Sequence, residues 1–199
     1  MSKVHHVIII PGLGDEIGKI TWATNFWSRF GLNPTVHSVG WHTREKEFRP
    51  KLQILIDIVD TFADKGDRVS LVGCSAGGSA ALNTFFERRE TVHRVINICG
   101  RLRTGTQNGF RSFNVRTATS PTFSESVKLF ESNENLLTSQ DKQKIMTVRP
   151  LFGDELVPAD TIILRDAYNI TIPTPEHVFS IAMALTAFSK PLITFLTKE

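Results

Sequence analysis

The sequence predicts an α/β fold, a three-layer sandwich around a mostly parallel sheet of six strands. Three observations lead there. Short apolar runs alternate with amphipathic stretches along the chain. Several of these runs, residues 4–10 foremost, are apolar almost without interruption, as suits strands covered by helices on both faces. A glycine-flanked turn, Gly73-Cys74-Ser75-Ala76-Gly77, joins one such run directly to a helix-forming stretch.

Residues 4–10 form the first predicted strand, ended by Pro11-Gly12. After a loop at residues 12–15, Ile17, Ile20, Phe26, Trp27 and Phe30 recur at helical spacing up to Gly31. Residues 35–39 read as the second strand. Pro50 suits the first turn of the next helix, whose apolar stripe runs from Leu52 through Leu55, Ile56, Val59 and Phe62 to Ala63. Residues 69–72 are the third strand, 76–89 its following helix and 92–99 the fourth strand. Residues 100–120, rich in Arg, Thr, Gly and Asn, read as loop. Phe123, Val127 and Phe130 mark a helix within 121–137, and 139–144 a further helical turn. The fifth strand is expected at 145–152, a short helix at 158–165 and the sixth strand at 168–172. A helix at 177–189 is broken or restarted by Pro191 before residues 192–196.

Composition fits one domain, 1–199, large enough to bury about 70% of its unfolded surface without disulfide or structural metal. Apolar residues make up 41% and charged residues 22%, with a net charge of +3. That charge is too small to argue for nucleic acid as a partner. Met1-Ser2-Lys3 leads straight into strand-like sequence, so neither a secretory signal nor a membrane span is expected, and the protein is expected in the cytoplasm. Cys74 and Cys99 end apolar strands and lack metal-ligand spacing; they read as buried free thiols, with no metal or cofactor expected.

Ser75 is the residue the rest must explain. A serine at the tip of so tight a strand-to-helix turn needs a positive-φ backbone, and Gly73 and Gly77 leave room where side chains would collide. A helix starting at Ala76 aims free backbone N–H groups beside Ser75. Taken alone, the pentapeptide is read equally well as a glycine-rich turn with an N-capping serine. Other strand ends break the tie. His177 follows the sixth strand by a short loop and opens a helix, which puts it on the same edge of the sheet; His42, just past the second strand, is a weaker candidate. Asp154 follows the fifth strand, where its carboxylate can accept the Nδ1 proton of His177. Glu155 and Asp160 are its fallbacks.

The order Ser75, Asp154, His177, together with V-I-I-I-P-G-L-G before the first helix and D-E-L-V-P after the fifth strand, resembles the α/β-hydrolase superfamily. The likeness spans essentially the whole chain and is greatest to compact members without a large cap, a minimal α/β-hydrolase fold. It implies a small-molecule acyl substrate, with Ser75 as nucleophile, His177 as base and then acid, and Asp154 as the orienting acid. It further implies that the backbone N–H groups of Leu13 and Ala76 form the oxyanion hole. The expected reaction is cleavage of a carboxylic ester, thioester or small amide through an acyl-serine. Two positions depart from the family: Pro11 stands where histidine is common, and Glu176 where glycine is frequent.

Other readings stay open. Gly12, Gly14 and Gly18 follow the first strand as a nucleotide-binding turn would, but the spacing to Lys19 is one residue too long for a phosphate-binding loop and Ile20 replaces its Ser/Thr. A dinucleotide oxidoreductase lacks a clear acidic ribose ligand after the second strand. A hydrolase-fold protein that only binds a ligand or partner would keep the same residues. Residues 88–116 hold seven arginines against the single acid Glu90. Arg101, Arg103 and Arg111 follow the fourth strand on the Ser75 side and are candidates to attract an anionic substrate. Trp41, Phe110, Phe113 and Phe123 are candidate walls of its pocket.

Overall fold

The computed structural model describes residues 3–198; Met1, Ser2 and Glu199 lie outside them, and with the first two the start of the segment read as leading into the first strand. The sheet has six strands in the order β2-β1-β3-β4-β5-β6, every neighbouring pair parallel. They are β1 (His5–Ile10), β2 (Leu32–Val36), β3 (Arg68–Cys74), β4 (Val92–Ile98), β5 (Ile145–Pro150) and β6 (Tyr168–Ile172). All residues of β1 are buried, because its alternate side chains enter two different cores. Ile8 and Ile10 join Leu71 and Val95 against α2 (Phe48–Ala63), α3 (Gly77–Glu87) and α5 (Pro121–Asn133). Val7 and Ile9 join Val72 and Ile96 against α1 (Ile17–Thr24), α7 (His177–Leu185) and α8 (Lys190–Thr197). Helices on both faces explain why the strands read as continuous apolar runs instead of alternating ones. No single helix among the described residues is long and apolar enough to cross a membrane.

The chain leaves β1 outward to β2 and returns to β3, so the connections diverge between β1 and β3. Such a divergence opens a crevice at the C-terminal strand ends. The loops after β1 and β3 both reach it.

Several boundaries differ from the sequence expectation. The second strand is Leu32–Val36, not 35–39, because Gly31 at φ 76° ends the preceding 3-10 turn (Asn25–Phe30) and releases the chain directly into the sheet. Pro34 therefore lies inside β2, tolerated because β2 is an edge strand paired only with β1. The stretch expected as loop at 100–120 contains a 3-10 turn (Gly109–Arg111) and α4 (Phe113–Thr117), started by Ser112 Oγ accepting from Val115 N. Five residues are too few for a periodic signal. Where a helix was expected at 158–165, only a 3-10 turn (Ala159–Thr161) forms. The expected helical turn near 139–144 is α6 (Ser139–Gln143), held by a capping box between Thr138 and Asp141.

At the opposite, N-terminal edge of the sheet, His5 is 9% exposed, its Nε2 2.9 Å from Ser70 Oγ and its ring edge-on to His93. Burial, followed by the nearby charges of His93, Arg68 and His6, pulls its pKa down to about 4. Burial also lowers His37 and His93. An unfolded histidine takes its proton near pH ~6.5, so on acidification the unfolded chain binds protons that the folded chain refuses. Stability should therefore fall as pH drops from about 6.5 to about 4, by on the order of 1–2 kcal/mol from His5 after allowing for solvent screening. Denaturant unfolding against pH measures this. His5→Gln, which keeps a partner for Ser70, should flatten the slope.

Candidate active site

β3 runs into Ser75 and α3 begins at Gly77. Ser75 has φ 53°, a left-handed conformation costing a non-glycine residue about 1–3 kcal/mol. The turn is over-determined. Ser75 N donates to Ile98 O at 2.9 Å, and Gly78 N donates to Ser75 O at 2.9 Å. A Cβ on Gly73 would lie 2.2 Å from Gly77 O, and one on Gly77 would lie 2.1 Å from Ile10 O. Both neighbours are backbone, so neither can move aside. Helix, elbow and β1 close together only because these two residues lack side chains.

Ser75 Oγ lies 2.8 Å from His177 Nε2, and His177 Nδ1 lies 2.7 Å from Asp154 Oδ2. The imidazole is 2% exposed and Asp154 7%. Asp154 Oδ1 accepts the backbone N–H groups of Leu156 and Val157, each at 2.8 Å, so the carboxylate is held at both oxygens. An acceptor-only carboxylate at Nδ1 makes that nitrogen the donor and leaves the Nε2 lone pair facing the serine hydroxyl. Of the fallbacks, Glu155 instead accepts His177 N at 3.0 Å, and Asp160 is exposed on the 3-10 turn.

Glu176 now has a physical account. Its backbone sits at φ 69°, ψ 148°, a region that suits glycine. Its carboxylate caps α7 by accepting from Val178 N at 3.0 Å and Phe179 N at 2.6 Å. A cap contributes about 0.5–2 kcal/mol, comparable to the strain. With Glu155 on His177 N, the first three amides of α7 are satisfied and the ring is fixed from its backbone side.

Leu13 follows β1 in a turn closed by Asp15 N donating to Gly12 O at 3.0 Å. A Cβ on Gly12 would lie 2.9 Å from Ser75 Cβ, so this turn packs directly on the serine. Among the described residues, neither Leu13 N nor Ala76 N donates a hydrogen bond to a protein acceptor. The glycines that suggested a nucleotide turn serve differently: Gly12 makes room for Ser75, and Gly18 has no atom close enough to require glycine.

A cavity of about 30 Å³ opens on Ser75 and His177, lined also by Leu13, Arg101, Arg116, Phe123, Leu156 and Val157. Of the arginines singled out in the sequence, only Arg101 lines it. Arg103 is ion-paired with Glu134 and donates to the carbonyls of Asp160 and Ile163. The Arg111 side chain is exposed and lies outside the cavity lining. Arg116, the last arginine of the same run, takes a place at the cavity with its guanidinium 4.9 Å from the Phe110 ring centroid. Its position in α4 could not be read where no helix was expected. Of the candidate aromatic walls, Phe123 lines the cavity. Trp41 is buried, stacked on Phe48, with Nε1 donating to Pro11 O at 3.2 Å. Phe113 is buried beneath Arg101, and Phe110 is exposed. His42 is exposed in the turn after β2.

Cys99, Asp154 and His177 bring potential ligand atoms within 4.8 Å of one another. The donor set suits a metal poorly. Nδ1 is engaged by Asp154, and burial holds the Cys99 thiol well above its usual pKa, disfavouring the thiolate a metal needs. Cys74 is likewise free and buried, its pKa pushed up to about 12.

No protein-family model matches the chain, and no curated protein matches it. Solved structures do. One of LipS and LipT, two metagenome-derived lipolytic enzymes, superposes with a TM-score of 0.70 at 12% identity, over 100% of this chain and 96% of that one. Est1E from Butyrivibrio proteoclasticus gives 0.65 at 15% identity, over 98% and 88%. A monoacylglycerol lipase from Paleococcus ferrophilus gives 0.63 at 13%, over 96% and 93%. At such identities the likeness speaks for the fold, and the chain has the α/β-hydrolase fold.

Proposed function

We propose that this protein is a serine hydrolase that cleaves a carboxylic ester, thioester or small amide through an acyl-Ser75 intermediate. One observation carries the reading: the line of hydrogen bonds from Ser75 Oγ through His177 to Asp154, at 2.8 and 2.7 Å, in a buried site. These are the distances proton transfer requires.

In this mechanism Ser75 Oγ attacks the substrate carbonyl while its proton passes to His177 Nε2. Asp154 stabilises the imidazolium through Nδ1. The oxygen that becomes negative is received by the N–H groups of Leu13 and Ala76, both without a protein acceptor among the described residues. One such donor is worth roughly 2.7–4 kcal/mol in the transition state. His177 then returns the proton to the departing alkoxide, thiolate or amine. Water, deprotonated by the same imidazole, hydrolyses the acyl-serine and restores the site.

The test is covalent. A fluorophosphonate should add one adduct to the wild-type protein, and peptide mass mapping should locate it on Ser75. Absence of labelling across a broad pH range would favour a protein that uses the same fold only to bind.

A further inference from the structure

Arg101 is 1% exposed and lines the same small cavity as Ser75 and His177. Its Nε donates to Arg103 O at 3.2 Å and its Nη2 to Arg111 O at 3.1 Å; Nη1 is buried without a partner among the described residues. The guanidinium lies 5.7 Å from the Phe113 ring centroid. No carboxylate among the described residues forms an ion pair with it. Of the acids whose charges reach it, Asp160 lies exposed on the 3-10 turn and Glu131 is bonded to Thr104, so neither serves as a buried counter-ion. A buried guanidinium stays charged, and a buried charge without a counter-ion is costly. Holding two loop carbonyls needs neither a charge nor a third, unused donor. Arg116 adds a second guanidinium to the cavity lining.

On the serine-hydrolase reading above, we propose that Arg101, supported by Arg116, receives a carboxylate carried by the substrate, so that the preferred acyl compounds are small and anionic. Arg101, Arg116, Ser75 and His177 line one cavity, so a single small substrate can meet the guanidinium and present its carbonyl to Ser75. The carboxylate offsets the buried charge of the guanidinium.

Paired esters test this and distinguish the two places a carboxylate can sit. Phenyl hydrogen succinate and phenyl methyl succinate differ in charge on the acyl side; 4-acetoxybenzoate and its methyl ester differ on the alcohol side. For one of the two pairs, wild-type kcat/KM should favour the anion by about 10- to 100-fold, the range of a hydrogen bond to a charged group. In Arg101→Gln that ratio should collapse towards 1, while Arg101→Lys retains part of it. Arg111→Ala should keep the full ratio, its side chain lying outside the cavity. A guanidinium that only staples the loop would affect both members of a pair alike. A wild-type ratio near 1 for both pairs, with Ser75 still labelled by fluorophosphonate, overturns this inference alone. No turnover of any ester and no labelling overturns the hydrolase reading and this inference with it.

Discussion

If the proposed mechanism holds, Ser75→Ala is expected to lower kcat for a phenyl ester by about a millionfold, to the residual level a site without its nucleophile sustains. Ser75 Oγ makes one side-chain hydrogen bond, to His177 Nε2, and removing it leaves His177 on Asp154 and the elbow on its backbone bonds. The fold should survive, because the constraints that hold φ at 53° come from Ile98 O, Gly78 N and the two missing glycine side chains. Steady-state kinetics together with a thermal melt separates the outcomes. A melt within a few degrees of wild type beside lost turnover supports the assignment; near-normal turnover would place the nucleophile elsewhere.

Asp154→Asn carries the next largest effect, about 10⁴-fold in kcat with KM little changed. The side chain accepts three N–H groups: Leu156 N and Val157 N on Oδ1, and His177 Nδ1 on Oδ2. An asparagine has only one acceptor oxygen. If that oxygen serves the two backbone amides, its NH2 faces Nδ1 and forces the proton to Nε2, where it points at Ser75 and prevents the imidazole from acting as a base. If the amide turns over, its NH2 opposes two backbone donors and leaves them unpaired, at about 1–3 kcal/mol for each buried group. The first arrangement is the cheaper, so the variant should fold and fail in chemistry. Retention of most activity would show that the acid lies elsewhere.

How much of this was legible in the sequence depended on the range of each interaction. Ser75, Gly73 and Gly77 form a local pattern whose steric logic needs no partner, and the structure adds which atoms fill the vacated space: Gly77 O for one and Ile10 O for the other. Asp154 and His177 are legible because strand ends in a parallel sheet share an edge, a matter of topology independent of side-chain detail. The edge-strand position of Pro34, the helical turn after Ser112 and the shortened helix after Pro158 were not legible. Each is set by a single cap or by a strand's place in the sheet, which leaves no period in the sequence.

The arginines show the same division. Arg101, Arg103 and Arg111 are alike in sequence, yet one is buried beside the serine, one is paired with Glu134 and one faces solvent. Nor could Glu176 be read beyond its departure from glycine; only the backbone at φ 69° and the bonds to Val178 N and Phe179 N reveal a helix cap. The sequence by itself determined the layered sheet, the elbow and the chain order of serine, acid and histidine, because periodicity and turn sterics are local. Tertiary structure alone decided which charges lose their water, which carboxylate oxygen meets which N–H, and which side chains line the cavity beside Ser75, because each depends on residues brought together from different strands.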